Sequence, residues 1–274
     1  MTRYCLPKRR REDQASAAGT IAVIGASGRI GRKLIAQLRR QSHRVVPISR
    51  SLGIDCTTYD SLARALEGVD TVIDVSDSGS TDGAAAMRYF RTAGCNLLQA
   101  ARAGGVRHHI ALSVVGVDRL TGPDYFRAKR LQEDLVRGST LPFTILRATQ
   151  FFELVRDLVR AGSARAIPIA PALVQPVAGD DIADFLADQA SAMPTYDIVE
   201  LAGPEQLRLD QIAIEIATAH EDDRRVVRDL NARYCGARLE ERSLLPGPCA
   251  HIGNRRFDDW LRDSLQPCFS FQAA

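Results

Sequence analysis

The sequence has no run of about 18 apolar residues, so no segment is expected to cross a membrane, and its first twenty residues lack the apolar stretch of a signal peptide. Its six cysteines, at 5, 56, 95, 235, 249 and 268, show no C-x-x-C spacing. That argues against a zinc site and a disulfide framework, and fits reduced thiols in a cytoplasm. An excess of one charge is missing from the body of the chain. Lys plus Arg number 36 and Asp plus Glu 33, but residues 1–20 hold five basic and two acidic side chains, leaving 31 against 31 in the rest. A neutral body carries no nucleic-acid footprint. There is no internal repeat or low-complexity tract. His108-His109 has no Cys, Asp or Glu at ligand spacing, which makes the pair structural and leaves no metal site to expect.

What is present is concentrated early. Ile21-Ala22-Val23-Ile24 feeds directly into Gly25-Ala26-Ser27-Gly28-Arg29-Ile30-Gly31 and then a helical segment over 29–38. A short β-branched strand, a G-x-x-G-x-x-G turn and a helix N-terminus together cradle a dinucleotide pyrophosphate, because the helix offers unpaired N–H groups and a positive dipole end. Gly25 permits the sharp turn, Gly28 lets backbone approach phosphate, and Gly31 allows close packing of helix on strand. Gly25, Ser27, Gly28, Arg29, Ile30 and Gly31 are the expected contacts.

The most informative absence lies just beyond. A second strand over 44–49 ends where an NAD enzyme carries Asp or Glu for the adenosine ribose, yet no acidic residue occurs between Asp13 and Asp55. Ser49-Arg50-Ser51 stands there instead. With Arg29 in the glycine loop, two guanidiniums and two hydroxyls would surround a 2′-phosphate, so NADP(H) is preferred over NAD(H). The plain alternative is that both arginines are solvated surface charges.

With 274 residues and 45% hydrophobic content the chain can bury a substantial core. Strand-like runs at 71–75, 109–113 and 143–146 alternate with helix-like stretches at 84–103 and 128–137, which predicts a doubly wound α/β fold on a parallel sheet. Between Arg50 and a third strand expected at 53–56 there is no room for a crossover helix, so the sheet edge is abbreviated, and Pro47 suits an edge. Asp55 then either accepts from the adenine amino group or caps the helix beginning near Tyr59. After residue 150 short strands and prolines appear, and the strand expected at 196–202 returns to the main sheet. Residues 1–19, with Lys8-Arg9-Arg10-Arg11, read as a disordered basic extension, 20–150 as the dinucleotide-binding domain, and 151–274 as a small C-terminal substrate lobe. Trp260, in a terminal amphipathic helix, is expected in the core.

Ser113 stands at a strand end, on the sheet edge where doubly wound folds bind ligands. Tyr125 and Lys129 follow at i and i+4, which puts phenol and ammonium on one helix face. Lys129 and an oxidised nicotinamide would favour phenolate, Ser113 would donate to a substrate oxygen, and Lys129 would also hold the nicotinamide ribose. Ser76-Asp77-Ser78-Gly79-Ser80 is expected to border the cofactor's ribose and the substrate entrance, against the alternative of ordinary loop residues. Asp74 in an apolar strand is either bonded to nearby backbone or a ligand contact. Phe151, Phe152, Leu173, Val174 and Gln175 are expected in the substrate pocket wall, against the alternative of plain core.

These motifs, together with Leu146-Arg147-Ala148-Thr149-Gln150-Phe151 and the segments 176–183 and 257–261, resemble the atypical short-chain dehydrogenase/reductases of the NmrA-like NAD(P)H-binding group. The resemblance runs from about Thr20 to Leu261. It implies an extended Rossmann fold, with Ser113, Tyr125 and Lys129 as the catalytic set for reducing a small carbonyl, quinone or enone-type compound, and leaves a homodimer open. It implies a rival as well, since the group includes proteins that bind the dinucleotide and act as redox sensors through a protein partner. Relatives that keep the lysine but not the tyrosine make Lys129 a base in its own right. Asn96 is either a relay-water ligand, as in extended members, or a capped amide.

Overall fold

Residues 21–24 are all buried, and they serve two faces of one strand: Ile21 and Val23 join one apolar cluster, Ala22 and Ile24 another. A strand covered on both faces needs helices on either side, which is why its sequence is continuously apolar and not alternating. The computed structural model describes residues 19–79, 82–161 and 165–266. In chain order the elements are β1 (Thr20–Ile24), α1 (Arg29–Arg40), β2 (Arg44–Ile48), a 3-10 turn (Arg50–Leu52), α2 (Tyr59–Ala65), β3 (Thr71–Asp74), α3 (Gly83–Ala103), β4 (His108–Val114), α4 (Asp124–Gly138), β5 (Phe143–Ala148) and α5 (Phe152–Ala161). There follow β6 (Ala166–Ile169), β7 (Leu173–Val174), α6 (Gly179–Ala190), β8 (Ile198–Ala202), β9 (Leu207–Arg208), α7 (Leu209–Ala219), β10 (Arg225–Arg228), β11 (Arg233–Tyr234), β12 (Ala237–Arg238), β13 (His251–Ile252) and α8 (Phe257–Leu265).

Seven strands form one parallel sheet in the order β13-β8-β5-β4-β3-β1-β2. Leu34 and Leu38 of α1 and Ile182 and Leu186 of α6 cover one face; Leu62 of α2 and Leu97 of α3 cover the other. Each such leucine contributes about 1.5–3 kcal/mol through burial. The order reverses between β1 and β3, and a ligand crevice opens at the carboxyl ends of the strands flanking such a reversal. The strand expected over 196–202 runs Ile198–Ala202 and pairs with β5, and β13 adds a further strand beside it.

No strand forms at 53–56. The 3-10 turn ends on Gly53 at φ 84°, and the chain turns straight into α2. β2 is therefore the sheet edge: Ile48 bonds back to the β1 turn, so Pro47, opposite Val23 and with no N–H to offer, has its backbone N on the unpaired side.

The remaining elements build a second core in which Phe152, Ile212, Ile216, Phe257 and Trp260 meet. Phe152 stacks on Trp260 with ring centroids 5.2 Å apart, so Trp260 is core. Among the described residues Cys56, Cys95 and Cys235 carry free thiols, while Cys249 is disulfide-bonded, a departure from the expected reduced set. Cys5, Cys268, the basic tetrad and Ser80 lie outside the described residues. No described helix is long and apolar enough to cross a membrane.

Candidate active site

The turn from β1 into α1 depends on glycine at two points. Gly25 sits at φ +82°, and a Cβ there would lie 2.9 Å from the backbone N and Cα of Ser76. On Gly31 a Cβ would overlap the Gly25 carbonyl oxygen, so what presses on Gly31 is the turn itself. Gly25 and Ala26 donate to the Ile48 carbonyl at 3.0 and 3.1 Å, tying the loop to β2. Gly28 caps α1 with no side-chain cap bond, and the first turn holds no acidic residue. The first-turn N–H groups and the positive dipole end are thus left for an anion, and no carboxylate competes. The residues present fit a dinucleotide pyrophosphate.

One cavity of about 590 Å³ starts at this loop. Its wall includes Gly25, Ser27, Gly28, Arg29 and Ile30, then Arg50, Asp55 and Ser76, then Ser113, Tyr125, Lys129 and Phe151. Twelve of the expected site residues therefore share one space of a size usual for small-ligand pockets. Gly31 supports the loop without reaching the cavity wall. Phe152, Val174 and Gln175 are corrections. Phe152 and Val174 are buried in the second core, and Gln175 donates through Nε2 to the Gly203 carbonyl at 2.8 Å. Leu173, half-buried in β7, is likewise absent from the wall. Phe151 reaches the cavity because it precedes the first turn of α5, whereas Phe152 begins that helix and faces the other way.

Polar commitments sort the rest. Arg29 is ion-paired with Asp157 at 2.6 Å, while Arg50 makes no ion pair within the described residues. Asp55 accepts from the Thr57 N–H and hydroxyl at 2.9 and 2.8 Å, organising the turn before α2. Asn96 donates to the Cys56 carbonyl at 3.1 Å, the capped state of its two alternatives. Asp74 accepts from the Ser76 N–H at 2.9 Å and from the Gln132 amide at 2.8 Å. Gln132 in turn accepts from Lys129 Nζ, which also donates to the Leu112 carbonyl at 2.8 Å and lies 5.0 Å from the centre of the Phe90 ring. Burial lowers the Lys129 pKa, and Asp77, Asp74 and Glu133 work against that.

Ser113 does not stand as expected. Its single proton goes to Glu133 Oε1 at 2.6 Å, and Glu133 is held by two bonds from Arg147, each 2.8 Å. Glu133 and Arg147 are both buried, and Arg147 also reaches Asp118 at 3.1 Å. Burial pulls the Arg147 pKa down, but its bonds and charge contacts with Glu133 and Asp118 raise it on balance. With its proton spent on an ion-paired carboxylate, Ser113 is an acceptor toward the cavity and not the donor the strand-end position suggests.

Tyr125 also differs. Burial raises its pKa, Asp77 and Cys235 raise it further, and Lys129 is not among the groups acting on it. A phenol whose pKa is raised holds its proton, which suits a proton donor. Asp77 and Gly79 of the loop expected at the ribose also reach the wall, and the cavity adds residues that sequence reasoning missed: Tyr89, Gln150, Leu154 and Tyr234. Burial lifts the Tyr89 pKa to about 12. Gln132 and Glu133, three and four residues after Lys129, were findable as neighbours on one helical face. Tyr234 had no signal, since it comes from the β11–β12 pair more than a hundred residues along. Gln150 is 1% exposed, and neither of its amide atoms has a hydrogen-bond partner. A buried polar group left unpaired costs about 1–3 kcal/mol.

A doubly wound sheet with a glycine-turn cavity at its reversal point defines a dinucleotide-binding fold. The profile of the NAD(P)H-binding family matches residues 47–193, more than half of the chain, and the chain belongs to that family. It is an atypical, NmrA-like member. It is similar to the photosystem II assembly factor Ycf39 of Synechocystis, 25% identical over 48% of this chain and 45% of that protein. It is also similar to the (4-alkanoyl-5-oxo-2,5-dihydrofuran-3-yl)methyl phosphate reductase of Streptomyces griseus, 28% identical over 63% of this chain and 62% of that enzyme. The chain thus spans about half the length of the first of these relatives. Among solved structures, MoeE5 in complex with UDP-glucose and NAD superposes with a TM-score of 0.68 over 90% of this chain and 97% of that one at 16% identity, a likeness of fold.

Proposed function

We propose that this chain is an NADPH-dependent reductase of a small carbonyl, quinone or enone-type compound. The observation that carries the reading is the single cavity joining the glycine loop and Arg50 to Tyr125 and Lys129. Arg50, with no ion-pair partner among the described residues and beside Ser49 and Ser51 whose hydroxyls lie 3.1 Å apart, supports a 2′-phosphate contact and hence NADP(H) over NAD(H). Arg29 contributes less because Asp157 already holds it. The reduced dinucleotide, when bound, supplies the hydride. Tyr125, whose pKa burial raises, would give its hydroxyl proton to the substrate oxygen that the hydride leaves negative, and Lys129, held by Leu112 and Gln132, would use its remaining N–H to hold the ribose. The reductase from Streptomyces griseus supports this class. The test is a screen of quinones, aldehydes, ketones and enones for NADPH oxidation.

A second reading has its own observation: Ser113 has no proton to give and Lys129 has two of its three donors occupied. That favours an NADP(H)-binding sensor acting through a protein partner, and the likeness to an assembly factor accords with it. Tight NADPH binding with no turnover across the screen would select the sensor.

A further inference from the structure

β11 and β12 form a hairpin in which Tyr234 pairs with Ala237, and the two turn residues, Cys235 at φ 47° and Gly236 at φ 82°, both take the left-handed backbone that so tight a turn requires. A Cβ on Gly236 would lie 3.3 Å from the Pro123 Cβ, so the turn rests on the residue that caps α4, two positions before Tyr125. The register leaves Arg233 in solvent and turns Tyr234 inward, where its ring joins Leu120, Phe126 and Leu244 in the second core. Both tyrosines thereby reach the wall of the one cavity that Lys129 also lines. Tyr234 is 3% exposed, and its hydroxyl makes no hydrogen bond among the described residues. Unlike the Gln150 amide atoms, that hydroxyl is not sealed off, and the surface it keeps opens on the cavity. Burial raises its pKa well above the usual phenol value, with Cys235 and Tyr125 adding to the effect, so it holds a proton to donate. A buried phenol ordinarily finds a partner within the fold, and this one has none there.

We propose that Tyr234 is the contact for a second oxygen of the substrate, so that the cavity selects a neutral dicarbonyl compound, an enedione or quinone, over a simple ketone or aldehyde. Tyr125 and Tyr234 come from separate elements, α4 and β11, and each has one proton that no described residue takes. A ligand with two carbonyl oxygens gives each phenol its own acceptor. Asp77, on the same wall and near enough to raise the pKa of both Tyr125 and Cys235, repels a carboxylate at this end, which makes the second acceptor an uncharged oxygen. The inference rests on the reductase reading for placing the substrate beside Tyr125, and it narrows the substrate class of that reading.

The test measures binding of isophorone and of 4-oxoisophorone, which differ only by the second carbonyl, to the full chain saturated with NADP⁺. Wild type is expected to bind the dione roughly fivefold more tightly, the worth of one neutral hydrogen bond, and Tyr234→Phe to bind the two alike. Tyr125→Phe weakens both and keeps the preference, because Tyr125 serves the carbonyl they share. The melting temperature and NADP⁺ affinity of Tyr234→Phe stay at their wild-type values, since the lost hydroxyl bonds no described residue. Equal binding of the two ketones by wild type, as one oxygen reached by both phenols would give, overturns the proposal. So does binding of neither, a preference that survives in Tyr234→Phe, or a preference lost together with a fall in melting temperature or NADP⁺ affinity. The reductase reading falls separately, if wild type shows the preference for the dione yet neither it nor any compound of the wider screen oxidises NADPH.

Discussion

Replacing Ser113 by alanine separates two roles for a serine at this strand end. If the hydroxyl donated to a developing oxyanion, its loss would cost on the order of 100- to 1000-fold in turnover with little change in stability. The structure assigns the proton elsewhere, to Glu133 at 2.6 Å, and a hydrogen bond to a charged group contributes about 1.5–3 kcal/mol. The remaining bonds from Arg147 to Glu133 persist in the variant, so the change stays local. Ser113→Ala is therefore expected to lower the melting temperature by roughly 3–12 °C, taking about 2–4 °C per kcal/mol for a chain of this size. The kcat/KM for a substrate found in the screen should stay within about fivefold. Glu133→Ala sets the scale, because it leaves the buried Arg147 with only Asp118 and should cost about 3–5 kcal/mol. Calorimetric melting beside steady-state NADPH oxidation decides the matter. A loss of 100-fold or more in kcat/KM with an unchanged melting temperature would show that Ser113 turns to the substrate, and the acceptor assignment would fall.

Arg50→Asp should weaken NADPH at least tenfold more than NADH, since a charge-assisted bond worth roughly 1.5–3 kcal/mol is replaced by repulsion; equal changes for the two nucleotides on titration would refute the 2′-phosphate contact. Arg29→Ala should move the preference in the same direction by less, given its ion pair with Asp157. Tyr125→Phe should lower turnover by roughly 100-fold or more while NADPH affinity barely changes, and full turnover would send the proton role to Lys129 or water. Acid should destabilise the fold in a defined window, because burial and the neighbouring His109 hold the His108 pKa down at about 4 against 6.5 when free. The unfolded chain binds the proton first, so this stability is complete above pH 6.5 and is lost as pH falls toward 4, by on the order of 3 kcal/mol. A denaturant midpoint that stays flat across that window would contradict it.

Much of the fold was legible because it follows from local patterns. Residues 21–24 announce a strand buried on both faces, Asp82 caps α3 by accepting from Ala84 and Ala85, and the glycine turn names the cavity it opens. The missing third strand was half legible. The lack of room for a crossover was visible, yet Ile54 and Cys56 alternate with polar or small residues as strand residues do, and only the turn ending on Gly53 at positive φ shows that the chain never extends there. Phe151 and Phe152 illustrate a phase problem. Two adjacent aromatics at a strand-to-helix junction point to opposite sides, and the junction's position by one residue decides which faces the ligand.

The site was legible in membership and illegible in commitment. Sequence names the residue types that converge on a strand end, but Ser113 has one proton, and where it goes depends on a carboxylate twenty residues away on α4. A signal for that carboxylate was nevertheless present. Arg147 lies inside the apolar strand run that begins at Phe143, and a guanidinium there must meet a buried carboxylate, since an unpaired charge in the interior is not tolerated. Glu133 falls four residues after Lys129 on the helix that packs beside that strand, and so it was a fitting partner. Once the pair forms, Glu133 takes the nearest hydroxyl proton as well, and the serine changes from donor to acceptor. The same reasoning applies to Lys129, whose bonds to the Leu112 carbonyl and Gln132 fix its ammonium before any ligand arrives. A set of residues at catalytic spacing is thus a list of candidates, and the hydrogen bonds each has left to give determine which can act; here that leaves the Tyr125 hydroxyl, which makes no hydrogen bond within the described residues, and one N–H of Lys129 as the donors of the set with a bond left to give.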